Sequence, residues 1–193
     1  MRVIAGTAKG RRLIAPRGAR TRPTADRTRG AIFDMLEAAG ADFTSVLDLY
    51  AGTGALGIEA LSRGADGCDF VEQDRNACEA IRRNLRLTGL EERSRVSCMS
   101  VSAALGRLDR RYTLVLADPP YADTEAIAEL DRLASVGLAN GAFVVYEHSI
   151  KHDSPAHLGE LPRWRQRRHG DAMISIYRAG HTGPPGDGQW KEE

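Results

Sequence analysis

The sequence predicts an α/β fold with a mostly parallel sheet of seven strands, one of them antiparallel. Short apolar runs alternate with amphipathic helical segments, a pattern typical of strands joined by helices that cover both faces of a sheet. Two runs near the end of the chain are separated only by Gly170 and Asp171. Because so short a connection joins antiparallel strands, the last strand is expected to run against the others.

The individual elements follow in chain order. A helix is expected over 24–39, capped by Thr24 and carrying an apolar stripe that includes Phe33 and Leu36. Glycines at 64 and 89 are expected to end the next two helices. The remaining expectations are strands over 45–50, 67–74, 95–100, 112–121 and 141–149, helices over 58–64, 75–89 and 125–137, and the closing pair of strands within 165–180.

The composition excludes several classes of protein. Hydrophobic residues make up 42% of the 193 residues and charged residues 27%, and no apolar run approaches the roughly 20 residues of a membrane span. The first residues lack the apolar core of a signal peptide, so we expect a cytoplasmic protein that does not associate with membranes. The three cysteines have neither C-x-x-C spacing nor a paired histidine pattern, so we expect reduced thiols and no metal.

Charge is distributed unevenly along the chain. The net charge is +1, yet residues 1–30 carry nine Lys and Arg against Asp26 alone, so the remainder is net acidic. A basic segment joined to an acidic body predicts a polyanionic partner, although a solvated charged tail is the simpler alternative. We assign 1–23 to a small basic N-terminal extension, 24–179 to the α/β domain and 180–193, rich in Gly and Pro, to a disordered tail.

A glycine loop and two acids mark the expected ligand-binding edge of the sheet. The first strand leads from Asp48 into "YAGTGALG", and Glu72 ends the second strand, where an acid accepts hydrogen bonds from ribose hydroxyls. The loop lacks the Gly-Lys-Ser/Thr ending of a phosphate-binding loop, which disfavours nucleoside triphosphate hydrolysis. A tight turn without a ligand is the alternative. With the polar loop after the fourth strand, these features favour an S-adenosylmethionine-dependent methyltransferase over a dehydrogenase.

That polar loop is "DPPY". The two prolines hold φ at about −65° and lack backbone donors, and the first one favours an extended Asp118, so the loop keeps one shape. A rigid loop at a strand end holds a carboxylate, carbonyl groups and an aromatic ring in fixed relative positions. A rigid turn without chemistry is the alternative.

Five segments together resemble one family. "MRVIAGTAKGRRL", "RPTADRTRGAIFDML", "VLDLYAGTGALGIEALSRGA", "FVEQD" and "LADPPY", in this order, resemble the RsmD family of 16S rRNA guanine-N2 methyltransferases over residues 1–179. DPPY alone is shared with DNA and RNA amino methyltransferases, whereas the RPT-x-DR segment is more specific. The resemblance implies a class I (Rossmann-like) methyltransferase fold, S-adenosylmethionine as cofactor and methylation of guanine 966 during assembly of the small ribosomal subunit.

The candidate residues follow from these motifs. Relatives often carry Asp or Asn after the third strand, where this chain has "CMSVS", so the adenine contact is placed at Met99 and Ser100. The cofactor-binding candidates are Asp48, Tyr50, Gly52, Thr53, Gly54, Glu72, Gln73, Met99, Ser100 and Asp118. The catalytic candidates are Asp118, Pro119, Pro120 and Tyr121. The RNA-binding candidates are Arg2, Lys9, Arg11, Arg12, Arg22, Thr24, Arg27 and Arg29.

The DPPY loop suits an amine substrate. The lone pair of an exocyclic amine is delocalised into its ring, and acceptors at Asp118 and the Pro119 carbonyl would draw the nitrogen towards tetrahedral geometry. Tyr121 would stack on the displaced base.

Three functions remain open from the sequence. They are an rRNA guanine-N2 methyltransferase, a DNA or other RNA amino methyltransferase of the adenine-N6 type that uses the same loop, and a non-catalytic RNA-binding assembly protein. For the first we expect a monomer whose partner is 16S rRNA within the assembling subunit. The length of 193 residues leaves little room for the target-recognition domain that DNA enzymes of this kind generally need.

Overall fold

Helices cover both faces of an eight-stranded sheet in this protein. The structure is a computed structural model and describes residues 1–15, 23–120 and 125–180. The helices are α1 (Pro23–Ala38), α2 (Ala55–Ser62), α3 (Arg75–Thr88), α4 (Val101–Leu105) and α5 (Ala126–Val136). The strands are β1 (Ser45–Leu49), β2 (Gly67–Glu72), β3 (Ser94–Cys98), β4 (Tyr112–Ala117), β5 (Leu138–Ser149), β6 (His157–Leu158), β7 (Leu161–His169) and β8 (Ala172–Arg178).

The strand order confirms the expected class I methyltransferase fold. The sheet runs β3-β2-β1-β4-β5-β8-β7-β6. The first five strands in this order, β3, β2, β1, β4 and β5, pair in parallel. Strand β8 runs antiparallel to both of its neighbours, β5 and β7. The order reverses between β1 and β4, which is where open α/β sheets bind their ligands.

Several details differ from the sequence-based expectation. The eighth strand, β6, has two residues and pairs antiparallel with the start of β7. Helix α4 was not expected, because five residues are too few to show a helical period. Helix α1 begins at Pro23, so Thr24 lies in its first turn rather than at its cap. Proline suits that first position because its missing N–H has no helical partner.

Two apolar cores lie between the sheet and the helices, one on each face of the sheet. Phe33 of α1, Ile58 of α2 and Phe70 of β2 belong to the core on one face of the sheet. Val115 of β4 and Leu130 of α5 belong to the core on the other face. Because alternate residues of a strand point to opposite faces, each central strand contributes side chains to both cores, which explains the near-continuous apolar runs in the sequence.

Residues 1–15, here called the N-terminal hairpin, pack against α2 and α3. Val3 and Ala8 are buried in the core beneath α1. The buried carboxylate of Glu59 accepts the backbone N–H groups of Ile4 at 2.8 Å and Ala5 at 2.9 Å. The approach is so close that a Cβ atom at Gly6 would lie 1.8 Å from a backbone oxygen of α2. The hairpin is therefore part of the folded body.

No helix in the described ranges is both long and apolar enough to span a bilayer.

Candidate cofactor and substrate site

A cavity of about 820 Å³ opens where β1, β2 and β4 end. Part of its wall comes from α1, α5 and the adjoining part of β5. Its lining includes most of the expected site residues, namely Asp48, Tyr50, Gly52, Thr53, Glu72, Gln73, Met99, Ser100, Asp118, Pro119 and Pro120. It also includes Glu125, Glu129 and Glu147, which were not expected. The position at the reversal of strand order is the one expected for a ligand.

Four of the lining residues follow one another across the sheet. Ala117 of β4 is the register partner of Leu49 in β1 and of Tyr146 in β5, and Leu49 is the partner of Val71 in β2. The residue that directly follows each of these four register partners lines the cavity. From one side of the cavity to the other, the row reads Glu72, Tyr50, Asp118, Glu147.

The glycine loop is held by two carboxylates. Glu72 accepts the backbone N–H of Gly52 at 2.8 Å, and Asp48 accepts that of Gly57, in the first turn of α2, at 2.8 Å. Backbone N–H groups in a loop before a helix often bind phosphate. Here carboxylates of the chain occupy these two N–H groups, so neither is available to a phosphate ligand.

Asp48 is buried behind the loop. Burial raises the pKa of the Asp48 carboxyl well above its usual value, and the nearby negative charges of Asp118 and Glu72 raise it further. The hydrogen bond from the N–H of Gly57 acts in the opposite direction and favours the ionised form.

Tyr50 has a backbone conformation that side chains rarely adopt. Its φ is 55°, and its hydroxyl donates to the carboxylate of Glu129 in α5. Left-handed backbone at a residue with a side chain is uncommon and concentrates at functional sites. The hydrogen bond therefore connects the loop after β1 to the helix after the DPPY loop.

The expected adenine contacts line the same cavity. The backbone N–H of Met99 donates to the carbonyl of Glu72 at 2.9 Å, and the hydroxyl of Ser100 caps α4. Gly54 faces away from the ligand side, since a Cβ atom there would meet Ile81 and Phe70 at 3.2–3.3 Å. Gly54 therefore serves the packing of the loop against the core.

The DPPY loop is described only in part. Asp118 is exposed at the cavity, Pro119 is buried and Pro120 is exposed. Tyr121 lies outside the described residues, so its expected stacking role stays a prediction.

The RNA-binding candidates fall into two groups. Arg2, Lys9, Arg11 and Arg12 of the N-terminal hairpin and Arg27 of α1 are exposed. Arg29 differs, because its side chain is buried and forms ion pairs with Asp26 at 2.9 Å and Glu59 at 3.5 Å. We therefore treat Arg29 as a structural residue rather than an RNA contact. Arg22 and the side chain of Thr24 lie outside the described residues.

The charge of the cavity indicates the kind of ligand that fits. Six acidic residues line the cavity, namely Asp48, Glu72, Asp118, Glu125, Glu129 and Glu147. Among the described lining residues the basic side chain is that of Arg29, which already forms ion pairs with Asp26 and Glu59. An acidic cavity attracts a cation and repels phosphate. S-adenosylmethionine carries a sulfonium, an ammonium and one carboxylate, so it is a net cation, and it has no phosphate. The residues present therefore fit it. In the described part of the chain, no three His, Cys, Asp or Glu side chains form a metal-binding group.

Glu147 was identifiable in principle from the sequence. It follows the apolar run "FVVY" of β5, so the rule that found Glu72 applies to it as well. Glu125 and Glu129 gave no such signal, because acids near the start of a helix are common on protein surfaces.

Known proteins resemble this chain over most of its length. The family model described as "Conserved hypothetical protein 95" matches residues 1–178. "Putative rRNA methyltransferase YlbH" of Bacillus subtilis (strain 168) is 36% identical over 184 residues, which cover 92% of this chain and 98% of the relative. "Ribosomal RNA small subunit methyltransferase D" of Escherichia coli (strain K12) is 30% identical over 179 residues, with 92% and 89% covered.

A solved structure also resembles this chain in fold. "Putative methyltransferase yhhF" from Escherichia coli matches with a TM-score of 0.82 at 30% identity, covering 93% of this chain and 97% of that one. The family match and the similarity to these relatives extend over nearly the whole chain, as the resemblance of the motifs did. The chain therefore belongs to the family described as Conserved hypothetical protein 95, the RsmD family.

Proposed function

We propose that this protein uses S-adenosylmethionine to methylate the exocyclic N2 amine of a guanine in 16S rRNA, guanine 966 by family resemblance, during assembly of the small ribosomal subunit. The observation that carries the proposal is the placement of Asp118 and Pro119 at the edge of an acidic cavity beside the Glu72-braced loop. The names of the two bacterial relatives support rRNA as the substrate class.

The cofactor half of the cavity is formed by β1, β2 and the start of α4. Each oxygen of Glu72 accepts one backbone N–H, from Gly52 or Asp74, and keeps a lone pair that accepts from a ribose hydroxyl. Met99 and Ser100 border the adenine. When bound, S-adenosylmethionine supplies a methyl group activated by its sulfonium.

The substrate half is formed by the DPPY loop. Asp118 and the carbonyl of Pro119 accept the two N2 hydrogens, so the nitrogen lone pair is directed at the methyl carbon rather than into the ring. The loop would hold the amine in this geometry against the methyl group, and the carboxylate of Asp118 would take the proton that the methylated amine gives up. The carboxylate of Asp118 would be in position before the reaction begins. Acceptors that are already in position are the most effective way for an enzyme to lower such a barrier.

The exposed cations of the N-terminal hairpin and of Arg27 supply the RNA-binding face. Contacts with phosphates position the RNA and depend on salt, whereas base contacts at the cavity select the target.

Methyl transfer from labelled S-adenosylmethionine tests the proposal. Small subunits that lack the modification should accept about one methyl group each, in 16S rRNA, whereas fully modified subunits and duplex DNA should accept almost none. Preferential labelling of DNA would contradict the proposal and support the adenine-N6 alternative. Cofactor binding without transfer to any substrate would support a non-catalytic assembly protein.

A further inference from the structure

Asp118, directly after β4, and Glu147, near the end of β5, occupy neighbouring positions across two paired parallel strands. Each directly follows one member of the register pair Ala117 and Tyr146, and adjacent strands lie about 4.8 Å apart. Both residues line the cavity. The residues two positions earlier, Leu116 and Val145, belong to the same core. Because side chains alternate between the faces of a sheet, Glu147 and Asp118 are therefore on one face.

The neighbouring atom distinguishes guanine from the other bases that carry an exocyclic amine. Beside the N2 amine, guanine carries N1–H, which is a hydrogen-bond donor. Beside the N6 amine of adenine lies N1, and beside the N4 amine of cytosine lies N3, and both of these atoms are acceptors. A protein that reads the pairing edge of an unstacked base can use this difference.

We propose that Glu147 accepts the N1–H of the target guanine while Asp118 and Pro119 engage the adjacent N2 amine. A carboxylate only accepts, so Glu147 bonds to guanine and opposes the lone pair of adenine N1 or cytosine N3. Glu147 is thereby the residue that determines guanine as the methylated base. The inference rests on the proposed function, because it takes the amine at the DPPY loop to be N2 of guanine.

Position separates Glu147 from two other carboxylates of the cavity. Glu129 lies on α5 and is bonded to Tyr50, and Glu72 lies at the end of β2 on the cofactor side. Glu147 is separated from Glu72 by two strands, so it stands on the far side of Asp118 from the proposed ribose site. A base whose amine lies at Asp118 therefore places its next pairing atom within reach of Glu147.

A base analogue tests the inference. 2-Aminopurine keeps the amine at C2 but has an acceptor at N1. Small subunits would be reconstituted with 16S rRNA that carries either guanine or 2-aminopurine at the target position. Single-turnover methyl transfer would be measured for the unaltered protein, for Glu147→Gln and for Glu129→Gln. Glutamine both donates and accepts, so it can bond to either form of N1.

The unaltered protein should prefer guanine over 2-aminopurine by at least about tenfold, the scale of one hydrogen bond to a charged group. Glu147→Gln should reduce that preference at least about tenfold by slowing guanine and helping 2-aminopurine. Glu129→Gln should change both rates in the same proportion, so that the preference stays the same. S-adenosylhomocysteine binding by calorimetry should be alike in the unaltered protein and Glu147→Gln.

Equal rates on guanine and 2-aminopurine with the unaltered protein would overturn the inference, whether or not any variant folds. An unchanged preference in a folded Glu147→Gln variant would also overturn it, because a purely structural role slows both substrates alike. Failure of the proposed function is a different result, since no guanine-containing subunit would then be methylated at N2 by the unaltered protein.

Discussion

Glu72 accepts the backbone N–H of Gly52 at 2.8 Å, so the acid that ends β2 holds the glycine loop that follows β1. Its second oxygen accepts the backbone N–H of Asp74, also at 2.8 Å, and Asp74 in turn caps α3. One carboxylate thus fixes both the loop and the start of the next helix. The proposed ribose acceptor is oriented before any ligand arrives, which lowers the cost of binding.

We expect Glu72→Ala to weaken S-adenosylhomocysteine binding by roughly 1–3 kcal/mol, because hydroxyl groups of the ligand and backbone N–H groups of the loop lose their acceptor. Isothermal titration calorimetry measures this directly. Glu92→Ala is the matched control, since Glu92 is an exposed acid in the turn before β3 and does not line the cavity. Unchanged affinity in a folded Glu72→Ala protein would remove Glu72 from the site.

For Asp118→Asn we expect retained cofactor affinity and a fall in methyl transfer of about 100-fold or more. An amide is a weaker acceptor than a carboxylate, and the interaction that it weakens is one that strengthens as the amine becomes tetrahedral. Single-turnover rates on unmodified small subunits report the chemical step, and calorimetry serves as the folding and binding control. A near-normal rate would exclude Asp118 from the activation of the amine.

The buried carboxyl of Asp48 should make stability depend on pH. Its pKa in the folded protein is raised well above the usual value, chiefly by burial. The folded state therefore holds this proton more tightly than the unfolded state, and stability falls as pH rises from about 3.9, the unfolded pKa, through the folded pKa. Asp48→Asn removes this dependence.

Urea unfolding of the ligand-free protein at several pH values measures the effect. The free energy of unfolding of the unaltered protein, relative to that of Asp48→Asn, should decrease between about pH 4 and neutrality. A difference that stays constant or grows with pH would show that ionisation of Asp48 carries no such cost in the fold.

The sequence predicted most strands of the sheet, because the apolar runs that indicate a strand and the residues that end it lie close together in the chain. Apolar runs ending in Asp48, Glu72 and Asp118 identified three strands and the site between them. Gly57 illustrates what local signals miss: the sequence placed it in the ligand-binding loop "YAGTGALG", but a Cβ atom there would lie 2.4 Å from Phe70 and 2.7 Å from Cys68. That requirement arises from packing between α2 and β2, which only the fold brings together.

Arg29 shows the same limit for charge. Its place in a basic stretch suggested an RNA contact, yet it is buried against the carboxylate of Glu59, 30 residues further along the chain. The pairing of β4 with β5 likewise brings Glu147 beside Asp118. In both cases the fold brings together residues that are distant in sequence, and the local pattern of either segment does not show which residue will be its neighbour.

The N-terminal hairpin should bind RNA through its exposed cations. We expect the double variant Lys9→Gln and Arg11→Gln to weaken binding to unmodified subunits. It should also reduce the slope of log affinity against log salt by about 0.7–0.9 for each RNA phosphate that the variant no longer neutralises. These side chains are exposed, so the substitutions leave the buried interior of the hairpin intact.

The control is the double variant Arg107→Gln and Arg132→Gln, which removes equal charge. Arg132 lies on α5 and Arg107 just after α4, both of which cover the opposite face of the sheet from the hairpin. Equal salt slopes for the two double variants would show that the hairpin has no special role in RNA binding.

The most direct test is the identity of the methylated nucleoside. Unmodified small subunits would be incubated with the protein and isotopically labelled S-adenosylmethionine, and the 16S rRNA would be digested to nucleosides and analysed by mass spectrometry. The label should appear in N2-methylguanosine from a single site, and the Asp118→Asn protein should yield little of it. Label in N6-methyladenosine or in a methylated cytidine, with none in N2-methylguanosine, would contradict the account.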